Sequence, residues 1–125
     1  MRTMVRIFRA EESETASRAG YRARYVADIT FIQLLNTCGV ILVDVEGTGR
    51  SSPHSHSKLE EVFIALSEIS IYVNNSCFDL NHGDVVVVEP GENHSFATKE
   101  SKSGQILALK FPNIKDDKVV PVRGT

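Results

Sequence analysis

Four consecutive valines, Val85–Val88, stand between Asn81-His82-Gly83-Asp84 and Pro90-Gly91. β-Branched side chains are stiff in a helix and pack well on a pleated sheet, so the run predicts a strand closed at both ends by turns. The same cadence governs most of the chain. Gly39-Val40-Ile41-Leu42-Val43-Asp44-Val45 is nearly all apolar, as expected of a strand covered on both sides, and Gly47-Thr48-Gly49 ends it. Val62–Leu66 and Ile69–Val73 follow, then Asn74-Asn75 as a hairpin signal and Cys77–Leu80 as a short strand. Asn93–Thr98 and Gln105–Phe111 complete the series across the loop 100–104. Counted this way there are about ten short strands, with turn signals roughly every eight to twelve residues. No strand–helix alternation interrupts them. The expected class is all-β, a double-sheet barrel that also protects its strand edges.

The flanks are less patterned. Met4–Phe8 is β-prone, and Glu11–Arg18 is a polar run with no apolar stripe to dock it, which predicts a solvated loop. Tyr21, Ala23 and Tyr25 alternate with Arg22 and Arg24, the period of a half-exposed strand, whereas Asp28–Leu35 fits a strand or a helical turn equally. The tail 112–125 is charged and weakly patterned, expected to fray or wrap the outside. The chain of 125 residues fits one domain: N-terminal strands over 4–35, a barrel over about 39–111, and the tail.

Charge narrows the partners. A formal net charge of -2 and a pI near 6.1 give no basic footprint for nucleic acid or a membrane surface. No apolar run approaches a bilayer span and the first residues lack the apolar core of a signal peptide, so a cytoplasmic location is expected. Cys38 and Cys77 cannot define a disulfide framework, and neither has a basic or histidine neighbour in sequence to lower its pKa; both read as small packing residues, buried or half-buried.

Three of the four histidines fall in two short segments, Pro53-His54-Ser55-His56-Ser57-Lys58-Leu59-Glu60-Glu61 and Pro90-Gly91-Glu92-Asn93-His94. In an extended chain His54 and His56 project from one face, a chelate geometry, and imidazole and carboxylate are the side chains that bind most transition metals. Which carboxylate joins them is open on periodicity. Glu60 lies four residues beyond His56 and would share its face on an unbroken strand; Glu61, at five, would face away unless the chain turns at Ser57-Lys58-Leu59.

At these residues the chain resembles the cupin superfamily, in particular its small single-domain barrels. Gly49, His54, His56 and a glutamate follow the family's first motif, and Glu61-Val62-Phe63-Ile64-Ala65-Leu66 matches the apolar strand into which the family's ligand glutamate runs. Gly83-Asp84, then Pro90-Gly91-Glu92-Asn93-His94, follows the second motif in order and spacing. Glu68, Glu89 and Thr98 stand where family members usually carry glycine, proline and asparagine. The resemblance implies a jelly-roll barrel, the double-stranded β-helix, with His54, His56, Glu61 and His94 pointing into its mouth around one divalent metal: iron, manganese, nickel, cobalt, copper or zinc. It also moves the ligand role to Glu61 and leaves Glu60 as a solvated neighbour or a partner of the ligands.

Three imidazoles and one carboxylate leave one or two positions open on a metal of five or six ligands, which implies reactivity or ligand capture. By analogy with similar cupins, the first expectation is a metal-dependent enzyme acting on a small oxygen-rich molecule by dioxygenase-like oxidation. The alternatives are a redox-neutral isomerase or lyase, which wants cations that the motif strands scarcely offer on their inward face, and a non-catalytic module binding a metal or small ligand. Phe63, Phe78 and Phe96 read as barrel lining, Arg50 and Lys58 as charges near the mouth that are solvated, and His82 as a turn residue facing water. Val62, Ile64 and Leu66 form a second apolar face that a symmetric homodimer or the N-terminal strands must cover.

Overall fold

The computed structural model describes residues 5–32, 36–46, 50–99, 102–114 and 117–120. The described chain folds into strands β1 (Arg6–Phe8), β2 (Glu14–Arg18), β3 (Tyr21–Tyr25), β4 (Gly39–Val45), β5 (Ser55–His56) and β6 (Glu60–Ala65). These are followed by β7 (Ile69–Val73), β8 (Ser76–Leu80), β9 (Val85–Val88), β10 (His94–Ala97), β11 (Gly104–Phe111) and β12 (Lys118–Val119). One five-stranded sheet runs β1-β9-β6-β11-β4 and a three-stranded sheet runs β10-β7-β8; every ladder is antiparallel. The two sheets face each other as a jelly roll. Between them lie Val45, Phe63, Ala65, Ile71, Val73, Val86, Val88, Phe96, Ile106 and Ala108, drawn from both sheets at every second residue.

The valine run is the buried centre of this arrangement. Val86 and Val88 join the core between the sheets, while Val85 and Val87 face the opposite side of the larger sheet with Val62. That outer face is covered by the N-terminal segment: Phe8, Val26, Ile29 and Phe31 pack there on Val62, Val85 and Val87, as do Ile64, Leu109 and Phe111. Of the two covers expected for the second apolar face, the chain itself supplies one. Glu60 helps to fix it. Its carboxylate lies 3.6 Å from Arg6 Nη2 and accepts a hydrogen bond from Ile32 N at 3.0 Å.

Four expectations are corrected. Glu11–Arg18 is not a solvated loop: a 3-10 turn at Ala10–Glu12 leads into β2, which pairs with β3 through the turn at Gly20, where φ is +84°. The alternating β3 strand provides a ladder that a polar segment can join without burying an apolar face, and Ala16 opposes Ala23. β4 is not covered on both sides. It is an edge strand whose Val40 and Leu42 are 66% and 56% exposed, beyond the reach of the N-terminal cover. Cys38 and Cys77 are both exposed; Cys77 alternates with the inward Phe78 and Leu80 on the edge strand β8. Glu60 is fully buried rather than solvated. The readings placed on Gln33–Leu35, on Gly47–Gly49 and on the last five residues lie outside the described residues.

Asp84 ties the segment at Arg9-Ala10 to the barrel. It accepts hydrogen bonds from Ala10 N at 2.9 Å, Asn81 N at 2.8 Å and Arg9 Nη1 at 2.9 Å. Gly83 beside it has φ +90°, and a Cβ there would stand 3.0 Å from that of Ala10, so glycine answers both the turn and the close approach. Burial alone would raise the Asp84 pKa, but the N–H groups of Asn81 and Ala10 and the Arg9 guanidinium outweigh it and hold the carboxyl below its ordinary value. A depressed folded pKa stabilises above the unfolded pKa, and that contribution is lost as pH falls through the folded one. Asp84→Asn is therefore expected to cost about 2 kcal/mol at pH 7, with the gap to the native protein narrowing in acid. Urea denaturation at pH 7 and at pH 3 measures both.

Candidate metal centre

The site is built where the two sheets meet at one end of the barrel. His94 opens β10 and pairs with Val73, placing it on the inward face with Ile71 and Phe96. His54 bridges His94 backbone to backbone, with reciprocal hydrogen bonds of 3.1 and 2.9 Å. His56, two residues on, shares the face of His54, and its carbonyl accepts a hydrogen bond from Gly91 N at 2.8 Å. Gly91 has φ +87°, which lets the Pro90-Gly91 turn bring the second segment back against the first.

Glu61 reaches the same face because the strand is broken. Between His56 and Glu60 the chain bends at Ser57-Lys58, and the bend is held by Asp117 from the tail. The Asp117 carboxylate accepts hydrogen bonds from the Ser57 hydroxyl, from Lys58 N at 2.7 Å and from Leu59 N at 3.1 Å, and its carbonyl accepts one from Ser57 N at 3.3 Å. After the bend, β6 places Glu61, Phe63 and Ala65 inward and Glu60, Val62 and Ile64 outward. Of the two carboxylates that periodicity left open, Glu61 is thus the one beside the histidines, and Glu60 faces the N-terminal cover.

His54, His56, Glu61 and His94 each offer one ligand atom, all within 4.8 Å of one another. Glu61 Oε1 lies 2.8 Å from His56 Nε2 and 3.1 Å from His94 Nε2. Close as they are, none of these three buried atoms is aligned to complete a hydrogen bond. On the far side of its ring, His94 Nδ1 is 3.1 Å from the Glu92 carbonyl, an acceptor, so Nδ1 carries the proton and Nε2 presents a lone pair to the cluster. Convergent lone pairs in a buried pocket are costly unless a cation shares them, and this donor set fits one.

The electrostatics agree. Burial, then electrostatic interaction with His94, Lys118 and His56, lower the His54 pKa to about 4 against a hydrogen bond involving the Ser52 backbone, so its imidazole is neutral at neutral pH. Burial would raise Glu61, but the approach of His56 and His94 prevails and brings it down to about 2; the carboxylate stays ionised. His56, Glu61 and His94 are buried and His54 is half-buried, which marks the His54 side as the approach from solvent. Phe63 closes the floor, its ring 5.3 Å from His94 and 5.0 Å from Phe96.

The remaining candidates lie elsewhere. His82 is exposed in the turn after β8, and Lys58 is exposed at the bend. Phe63 and Phe96 line the barrel, and Phe78 packs against the same core. Arg50 is engaged on the other face of the small sheet, donating to Ser95 Oγ at 2.8 Å with its guanidinium 3.9 Å over the Tyr72 ring. Ser95 and Tyr72 alternate with His94 and Val73, so they point away from the histidines. Sequence reasoning missed Asp117, which no local pattern marks in a charged tail.

The family model for the cupin domain matches residues 41–110. The chain belongs to the cupin family. The match spans both histidine segments and the strands between them, so this cupin carries its cluster where the two motifs meet. No match is found among curated proteins. Among solved structures, this cupin is similar to the WlaRB TDP-quinovose 3,4-ketoisomerase from Campylobacter jejuni, with a TM-score of 0.69 and 13% identity over 94% of this chain and 93% of that one. It is also similar to a dTDP sugar isomerase from Desulfovibrio desulfuricans G20, at 0.67 and 10%, covering 97% and 85%. The Lactobacillus farciminis oxalate decarboxylase, in a formate complex, gives 0.59 and 21%; here 67% of this cupin matches only 26% of that chain. Likeness at these identities establishes the shared fold.

The clasp at Asp117 is open to test. Asp117→Ala should release β12 from β5, costing about 2 kcal/mol and exposing the tail to limited proteolysis, both without loss of the β circular dichroism signature. An unchanged proteolysis pattern would refute the clasp.

Proposed function

We propose that this cupin holds one divalent transition metal on His54, His56, Glu61 and His94 and acts as a metal-dependent enzyme on a small, oxygen-rich organic molecule. The observation that carries this reading is the gathering of four potential ligand atoms within 4.8 Å of one another, those of His56, Glu61 and His94 buried and without a hydrogen-bond partner. A bound metal would supply Lewis acidity and, if redox-active, the means to use O2. The protein's own share is positional. The Glu92 carbonyl orients the His94 ring, Glu61 contributes the negative charge that balances a dication, and Phe63 and Phe96 keep water from the barrel side. With one side closed by aromatic rings, the half-buried His54 side is the one from which a substrate would approach the cluster.

Dioxygenase-like oxidation is the first reading of the chemistry, because three imidazoles and a carboxylate suit redox-active metals and leave positions open. A redox-neutral isomerase is the second. Its support is that the two nearly full-length structural neighbours cited above are, by name, sugar-nucleotide isomerases. His56→Ala and His94→Ala should each cut metal content at least tenfold, while His82→Ala leaves it unchanged; elemental analysis of protein purified without added metal reads this directly. Native iron, manganese or copper with substrate-dependent O2 uptake fits oxidation, and zinc alone counts against it.

The reading includes a symmetric dimer. Val40 and Leu42 on the edge strand β4 stay exposed beside the covered part of the same apolar face. Light scattering should give twice the chain mass, and Leu42→Lys should return the monomer.

A further inference from the structure

Strand register places two lysines beside the cluster that the motifs do not include. In an antiparallel ladder, directly opposed residues put their side chains on the same face. Lys110 on β11 opposes Glu61 on β6, just as Ala108 opposes Phe63 and Ile106 opposes Ala65. Those two neighbours lie in the core between the sheets, so Lys110 continues an inward row that ends beside the ligand carboxylate. Lys118 on β12 opposes His56 on β5, which puts the two side chains on the same face of that ladder. One lysine approaches from the large sheet and the other from the tail.

Their surroundings leave both cations available. Lys110 is half-buried and Lys118 exposed, and among the described residues neither has a carboxylate within 4.0 Å. Glu61, the acid on the same face as Lys110, is directed at His56 and His94. Lys118 is not a loose tail residue either. It follows Asp117, whose hydrogen bonds to Ser57, Lys58 and Leu59 fix the strand that carries it. A cation held half inside a barrel without a counter-charge is costly unless a ligand brings one.

We propose that Lys110 and Lys118 form a cationic rim at the site and bind an anionic oxygen group of the substrate, a carboxylate or a phosphate. The inference rests on the metal-centre reading for the rest of the substrate's contacts and names its chemical class: a small anion, one part of which lies at the histidine cluster and another between the two ammonium groups. It also provides the inward cations that a redox-neutral reaction on a phosphorylated or carboxylated molecule requires.

The test uses malonate and inorganic phosphate as probes. Each is titrated into the full chain, stripped with chelator and separately loaded with Zn(II), with dissociation constants read from amide chemical shifts. The native protein should bind at least one probe, and the preferred one distinguishes carboxylate from phosphate recognition. Lys110→Gln and Lys118→Gln should each weaken that probe by about tenfold. Lys102→Gln should match the native protein, since that residue precedes the other end of β11, roughly 20 Å away. Binding of neither probe, or native affinity in both rim variants, overturns the rim. Thermal melts check that Lys110→Gln folds, and if it does not, exposed Lys118 decides alone. Failure of the native protein to load Zn(II) overturns the metal reading separately, and the lysine comparison is then read in stripped protein.

Discussion

The bend at Ser57-Lys58, gripped by Asp117, sets the phase of everything downstream. A strand continuous from His54 through Glu61 would send His54, His56 and Glu60 to one face and Glu61 to the other. Breaking it shifts the alternation by one residue, so Glu61 turns inward with Phe63 and Ala65 while Glu60 turns out to Arg6 and Ile32 N. Two adjacent glutamates thereby acquire opposite functions: one faces the histidines, the other pins the N-terminal cover. The agent of the break comes from sixty residues away, a separation that makes the tail part of the site's architecture rather than an appendage.

A consequence is that the site's polarity is sustained by backbone as much as by side chains. His54 and His94 are fixed by mutual backbone hydrogen bonds, His56 by Gly91 N, and the His94 ring by the Glu92 carbonyl. None of these contacts uses the nitrogen or oxygen atoms that converge at the centre. The scaffold holds the rings in place and spends nothing of their lone pairs. A purely structural cluster of buried histidines would be expected to satisfy those atoms internally.

Much of this is legible in the sequence, for identifiable reasons. Period-two alternation and turn residues mark the strands β6 to β11 because each is bounded by short loops that leave little freedom of register. The histidines stand out by concentration. The choice between Glu60 and Glu61 was not legible from periodicity, since the bend depends on Asp117, and a single acid in a charged tail carries no local signature. β2 was misread because strand formation in a polar segment depends on its partner, here β3, and not on its own apolar pattern. The exposure of Val40 and Leu42 was hidden for a related reason: an apolar run reports that a strand is β-prone, but only its place at the sheet edge decides what covers it.

Lys110 shows where pattern reading could have gone further. Ile106 and Ala108 announce the inward phase of β11, and the next residue in that phase is a lysine. Taken alone it reads as a strand end reaching solvent, the ordinary place for such a side chain. Only its register against Glu61 turns an unremarkable terminus into a position beside the histidine cluster's carboxylate. Lys118 follows the same logic through β5. In a jelly roll the ends of strands from both sheets and the tail converge on one mouth, so the chemistry available there is set by residues far apart in sequence. Motif spacing describes the histidine half of this mouth, and strand register describes its charged half.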